Sequence, residues 1–416
     1  MTDDNSMLET VDSDQADLTT STPRGFRAPG TSMLLGGTVA GAVAAYLFQA
    51  FGNRTLGEAA FAPIAQLWTV FFILVTVALI PLEQYVTREA SRGRKVLRDD
   101  RRVVGVTALG TSTVGGVVAF VFLDTLFAGD HLFIAYLVLL PIGYATLTVG
   151  KGVLAGHRRF GLMGWLLFWE GAVRLIAAFV LIAIATSARS LAWAMVAAPF
   201  AALATRFWRF DTATAEVATT RASGFLGAYM VGSSASQLML AGAPLAIALL
   251  GGPPELVSTV FLTFTLFRGP LTLIYSLQGR ILPFLVKIAE DGGGFRSITG
   301  RIVLAGLGLA MVGGGVGWLI GPEVVELLFD ASPDRVVTAL AAAGVVAAST
   351  TQVSGQVLVA LGGTGRLATA WVAGLFAAVA VLPFVGLTPD RSVAVAFLSG
   401  ELVALAVAAW MSFRSS

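Results

Sequence analysis

Apolar residues run along this chain in long blocks, near 32–50, 61–81, 103–123, 132–150, 162–186 and 190–207, and again near 225–250, 256–277, 299–320, 336–360, 367–387 and 392–411. A helix needs about 20 apolar residues to cross the hydrocarbon of a bilayer. The pattern therefore predicts twelve transmembrane helices joined by short loops. Residues 1–30 break the pattern. They hold Asp3, Asp4, Glu9, Asp12, Asp14 and Asp17 with few large apolar residues, which reads as a disordered acidic tail and not as a signal peptide.

The basic residues orient the spans. With twelve crossings, 21 of the 27 Lys and Arg fall in segments on the side of the N-terminus, four fall on the other side, and Arg174 and Arg268 fall inside spans. Cytoplasmic loops carry such an excess, so both termini are expected in the cytoplasm of a cell membrane. The cluster SRGRKVLRDDRR, 91–102, reads as an orientation signal in contact with anionic lipid. Asp99 and Asp100 within it read as solvated ion pairs.

Composition agrees. The chain is 56% hydrophobic and 12% charged, with mean hydropathy +0.81, whereas a soluble domain carries about 25% charged residues. It has no cysteine and two histidines, so disulfides, thiolate chemistry and histidine-rich metal sites are excluded. No cofactor and no nucleic-acid partner is expected. The stretch GYATLTVGKG, 143–152, has six residues between Gly143 and Gly150 where a phosphate-binding loop needs four. The loops are too short to hold an ATPase.

The two halves resemble each other. KGVLAGHRRFGLMGW, 151–165, and GQVLVALGGTGRLATAW, 355–371, each place Val-Leu, then Ala and Gly, then an Arg before an apolar residue and a Trp-containing span. Because each half has an even number of spans, the repeats enter the membrane in the same sense. The expected organisation is an acidic tail (1–30), an N-terminal lobe (31–210), a cytoplasmic linker (211–224) and a C-terminal lobe (225–416). The expected fold is all-α, a polytopic membrane protein with twelve transmembrane helices in two six-helix lobes around a central cavity. Gly37 and Gly41, at GxxxG spacing, predict close helix packing.

Charges at bilayer mid-depth cost about 2.5–3.5 kcal/mol each on insertion scales. Glu170 and Arg174, one turn apart, share a face and can pair. Their pairing serves either helix packing or a substrate. Glu401 has no cation on its own helix. It is protonated, paired with a distant arginine, or bound to a coupling cation, H+ or Na+. Arg268 precedes Gly269 and Pro270, which weaken a helix where backbone is tolerated only beside a cavity or protein. Its guanidinium fits phosphate oxygens. Gln84, Gln237, Gln278, Gln352 and Gln356 add neutral polar groups suited to sugars or to helix packing.

The segments LGEAAFAPIAQLWTVFFILVTVALIPLEQYVTREASRG (56–93), AGHRRFGLMGWLLFWEGAVRLIAA (155–178), FRGPLTLIYSLQGRILPFL (267–285) and GPEVVELLFD (321–330) resemble landmarks of the multidrug/oligosaccharidyl-lipid/polysaccharide exporter superfamily, in its polysaccharide flippase branch. The resemblance implies a V-shaped cavity and export of a lipid-linked saccharide by alternating access. Its implied partners are the bilayer, that substrate and polysaccharide-assembly glycosyltransferases. The expected substrate-cavity residues are Arg268, Arg174, Glu170, Glu401, Gln84, Gln278 and Gln237, with Arg268 meeting the phosphate. A cation-coupled multidrug exporter of the same superfamily is the alternative, although the first span lacks a carboxylate. A membrane glycosyl- or phosphotransferase would need a site that Glu323, Glu326, Asp330 and Asp334 do not form by spacing.

Overall fold

Apolar residues and glycine fill the long blocks, and in hydrocarbon the only way such backbone satisfies its own polar groups is helix or closed barrel. Helix is the outcome throughout the computed structural model, which describes residues 30–212, 234–269, 271, 295–360, 364–384 and 386–415. The acidic tail, most of the expected linker and Gln278 lie outside the described residues. Among those residues, ten helices are long and apolar enough to cross a membrane.

The first lobe contains α1 (Thr31–Leu56), α2 (Glu58–Ser91), α3 (Arg101–Val121), α4 (Leu132–Gly156), α5 (Phe160–Ile184) and α6 (Ala188–Arg209). The second contains α7 (234–249, interrupted at Gly242), α8 (254–269), α9 (Phe295–Phe329), α10 (Arg335–Ala360), α11 (Thr364–Val381) and α12 (Pro389–Ser415). The chain is a multi-pass membrane protein.

Two helices outrun the apolar blocks that predict them. Helix α2 continues through Pro81 because a π-helical turn, Val75–Leu79, precedes it. A proline lacks the N–H and crowds the preceding turn, and a widened turn makes room. Helix α9 continues through Pro322 to Phe329, so Glu323 and Glu326 stand on a helix, not in a loop.

Neighbour relations repeat between the lobes. In the first, α1 packs on α5, α3 on α4, and α6 on α4 and α5. In the second, α9 packs on α10, and α12 on α10 and α11, while Met239 of α7 touches α11 at Gly374. Small residues set the closest crossings. A Cβ at Gly37 of α1 would collide with the Gly164 carbonyl of α5, and one at Gly374 of α11 would come 2.6 Å from the Gly400 carbonyl of α12. Without a hydrophobic drive between helices in lipid, such backbone approach supplies the packing.

The helix ends nearest residues 92–100, 157–160 and 206–212 carry most of the basic residues and are termed the basic side; the opposite ends form the far side. On the basic side the 92–100 segment folds inward. Glu89 is fully buried and pairs with Arg88, Arg92 and Arg94, and Arg94 also meets Asp100 at 3.2 Å. The Glu89 carboxylate, hydrogen-bonded to Arg94, holds that guanidinium above its ordinary range. Asp100 is thus buried and paired, not solvated as its sequence neighbours suggest. Asp211 accepts from the Val96 and Leu97 N–H groups at 2.9 Å, which ties the segment to the end of the lobe.

Candidate functional site between the lobes

The lobes share one large apolar cluster, and it includes Phe48, Phe61, Ile64 and Leu67 from the first lobe with Ile247, Phe261, Phe264 and Phe329 from the second. Toward the basic side, other clusters belong to one lobe each. Leu79, Leu82, Tyr85, Val153 and Phe207 form one in the first lobe, and Leu358, Ala370 and Ala408 form another in the second.

Hydrogen bonds follow the same division. On the far side Asn53 Nδ2 donates to the Phe329 carbonyl at 2.9 Å, and Arg54 donates to the Leu327 carbonyl. Gln66 Nε2 donates to the Pro244 carbonyl at 2.8 Å, and the Ser258 hydroxyl donates to the Glu58 carbonyl at 2.6 Å. These four bonds join α1 and α2 to α7, α8 and α9.

Arg268 lies within the stretch of α8 that carries the shared cluster, between Phe264 and Leu271. It lies one turn beyond Phe264, a member of the shared cluster. Its guanidinium donates to the Leu240 carbonyl and to Thr265 Oγ1, each at 3.2 Å, and its Cζ lies 5.4 Å from the centre of the Phe72 ring. Tyr46 of α1 donates across the lobes to the Thr265 carbonyl at 3.1 Å. A Cβ on Gly269 would come 2.6 Å from the Tyr46 hydroxyl, so the glycine after Arg268 lets α1 approach. Arg268 is half-buried and Phe72 is 38% exposed, so the cation and the aromatic ring are both partly accessible.

A second arginine stands one turn away along α2. Arg174 Cζ lies 5.0 Å from the Trp68 ring centre, and Trp68 precedes Phe72 by four residues. Arg174 pairs with Glu170. Tyr144 of α4 donates to Glu170 Oε1 at 2.6 Å and accepts from Arg174 at 2.7 Å. Both charged residues are buried, and the Arg174 Nε meets no acceptor. Helix α2 therefore presents two aromatic rings, each facing an arginine, one from either lobe.

The remaining expected residues lie elsewhere. Gln84 is exposed on α2, 12 residues past Phe72, or about 18 Å at 1.5 Å per residue. Gln237 is buried on α7 beside Ser236, whose hydroxyl accepts from Gln352 at 3.5 Å. Glu401 is fully buried inside the second lobe, and neither of its oxygens has a hydrogen-bond partner among the described residues. Tyr46, Trp68, Phe72 and Tyr144 were not expected, because no local sequence signal ties an aromatic residue to a charge on another helix.

No protein-family model matches the chain. No curated protein matches it either. Solved structures do match in fold. An inward-facing multidrug resistance MATE family transporter of the MOP superfamily superposes with TM-score 0.63 at 12% identity, covering 92% of this chain and 94% of that one. An outward-facing conformation of a multidrug resistance MATE family transporter gives 0.50 at 15%, covering 95% and 98%. A MOP superfamily transporter from Pyrococcus furiosus, described by a reverse polarity of its binding pocket, gives 0.58 at 14%, covering 95% and 98%. The fold is that of MATE transporters: twelve helices in two six-helix lobes around a central cavity.

Proposed function

We infer that this chain is an alternating-access exporter that moves an amphipathic small molecule across the cell membrane, driven by a cation gradient. The observation that carries the reading is the division of packing. The lobes share one core that reaches the far side, keep separate cores on the basic side, and are joined beside Arg268 by the Tyr46–Thr265 hydrogen bond. With both termini in the cytoplasm, that arrangement opens toward the cytoplasm. The better superposition on an inward-facing than on an outward-facing transporter supports the same state.

The neighbours are described as multidrug transporters, which weighs toward a drug-sized cargo. The site's charge adds a selection. Among the described residues the site brings together two arginines, Arg174 and Arg268, and one carboxylate, Glu170, so an anionic or zwitterionic amphiphile suits it better than a cation. Phe72 offers the apolar part of such a molecule a surface. A lipid-linked saccharide is the second reading, favoured by the fit of a guanidinium to phosphate oxygens.

Transport by purified protein in proteoliposomes tests both. Arg268→Ala is expected to abolish uptake of anionic amphiphiles, with Arg268→Lys restoring part of it. Normal transport in the alanine variant refutes the anion role. Movement of a polyprenyl-linked sugar, recovered chemically unchanged, would favour the second reading.

A further inference from the structure

A cavity of about 430 Å³ opens on the basic side of the first lobe, where α4 turns into α5. Residues 157–162 line it, together with Gly30 at the entry to α1. His157, Arg158 and Arg159 supply its polar wall, and among the described residues no carboxylate lines it. It lies well away from the site between the lobes: Arg159 precedes Arg174 by 15 residues, or about 22 Å of helix.

The protein leaves this charge without compensation. Arg158 and Arg159 form no ion pair among the described residues, whereas Arg88, Arg92 and Arg94 of the neighbouring segment are drawn onto Glu89. The Arg159 guanidinium lies 5.2 Å from the centre of the Phe210 ring. That ring attracts the cation but gives its N–H groups no oxygen acceptor. Arg158 takes φ 57°, a left-handed backbone that glycine enters more easily. A charged side chain thus stands where the turn would form more readily without one.

Two such arginines attract an anion, and a planar guanidinium fits phosphate oxygens in bidentate fashion. The lack of a lining carboxylate adds a selection. A zwitterionic headgroup would bring an ammonium beside Arg158 and Arg159 with nothing to receive it. A phosphoglycerol headgroup brings one negative charge and neutral hydroxyls.

What lies deeper along α5 says that the anion carries acyl chains. Trp165, Phe168 and Trp169 are exposed and packed on one another, with ring centroids 5.3, 5.6 and 5.5 Å apart. Gly161 and Leu162 of the cavity precede Trp165 by four and three residues, and precede Phe168 and Trp169 by seven. Cavity and rings therefore share one face of the helix. Trp165 stands six residues past Arg159, or about 9 Å along the axis. The headgroup layer of a bilayer is about 5–8 Å thick. With the arginines at phosphate level, the rings reach the boundary between headgroups and chains, where tryptophan is enriched. A basic loop alone binds any anion; a basic hollow with an aromatic platform one headgroup deeper on the same face fits a lipid.

We propose that this hollow is a binding site for an anionic phospholipid, with the phosphate on Arg158 and Arg159 and the upper part of the chains against Trp165, Phe168 and Trp169. The site does not depend on the exporter reading. Its occupant bridges the basic ends of α1 and α5, which already touch: a Cβ on Gly30 would come 2.5 Å from the Gly161 nitrogen.

Native mass spectrometry of the full-length protein in micelles tests it, with phosphatidylglycerol and phosphatidylethanolamine of the same acyl chains as probes. Phosphatidylglycerol is expected to give the tighter adduct. Arg158→Gly suits the left-handed backbone; combined with Arg159→Ala it is expected to weaken that adduct about 25-fold, or about fivefold for each arginine. Arg101→Ala with Arg102→Ala, at exposed positions of the neighbouring segment, is expected to leave it in place. Glycerol 3-phosphate, the headgroup without chains, is expected to compete poorly.

Equal affinity of the unaltered protein for the two lipids overturns the proposal, and that comparison needs no variant. Equal losses from the two arginine pairs overturn it too, since they would show only the general attraction of a basic surface. Competition by glycerol 3-phosphate on a par with the lipid overturns the lipid assignment. If phosphatidylglycerol binds only after residues 2–28 are deleted, the acidic segment that enters α1 through Gly30 is the occupant, and the proposal falls.

Discussion

Replacing Glu170 by leucine separates a structural ion pair from a substrate contact. The change removes the partner of Arg174 and the acceptor of the Tyr144 hydroxyl, in a place where Glu170 is 8% and Arg174 5% exposed. Breaking one side of a buried pair costs about 3–5 kcal/mol, because the surviving charge is left without compensation. Arg174 would keep the Tyr144 oxygen at 2.7 Å and the Trp68 ring at 5.0 Å. A hydrogen bond to a charged group is worth about 1.5–3 kcal/mol and a desolvated cation–π contact about 2 kcal/mol, so the lower end, about 3 kcal/mol, is expected. The double variant Glu170→Leu with Arg174→Met removes the stranded charge and should recover most of that loss. The assay is a double-mutant cycle on unfolding in mixed micelles, with transport measured in parallel. A single variant no less stable than the double would refute the reasoning. Loss of transport in a well-folded double variant would instead give the pair a role in carrying substrate.

Three further outcomes are expected. Gly37→Leu should prevent stable insertion because α1 cannot then approach Gly164, whereas Gly36→Ala, with nothing within 4 Å, should leave expression and melting unchanged. Asn53→Ala removes one interlobe bond to the Phe329 carbonyl, worth about 1 kcal/mol; labelling of Ala243→Cys, in the shared cluster, by a membrane-impermeant maleimide should rise about fivefold, since 1.4 kcal/mol is tenfold. On the far side the guanidinium of Arg391, in the first turn of α12, is hydrogen-bonded to Asp334 and holds that carboxyl below its ordinary value of 3.8. A depressed carboxylate stabilises the fold above its unfolded pKa and loses that contribution as pH falls through the folded value. Arg391→Ala should therefore be less stable than the parent at neutral pH and equal to it once pH falls well below that range, as read by denaturation at a series of pH values.

The spans were legible because hydrocarbon demands a fixed length of apolar helix. The Glu170–Arg174 pair was legible too, since four residues along a helix is a contact written in spacing alone. Its other members were not: Tyr144 and Trp68 come from α4 and α2, and only tertiary packing brings them near. Arg268 was conspicuous in the sequence, yet the Leu240 carbonyl and the Phe72 ring that seat it leave no trace in neighbouring residues. For Glu401 the sequence showed no cation within its apolar span 392–411, and the structure places Arg391 and Arg414 at the two ends of α12. Asp100 reads as surface from its arginine-rich neighbours, but the segment folds inward because Glu89 recruits Arg94 and Arg94 recruits Asp100. Helix α9 exceeds its apolar block because Pro322 sits within a helix that Glu323 and Glu326 continue.

Spin-label distances in nanodiscs address the two-lobe division most directly. One pair, on Arg158 and Gly365, spans the lobes on the basic side, and another, on Thr55 and Leu327, spans them on the far side. Alternating access predicts two populations in opposition, with the first pair shortening in the same conditions that lengthen the second. A single unchanging distance in both pairs, or both lengthening together, would contradict it.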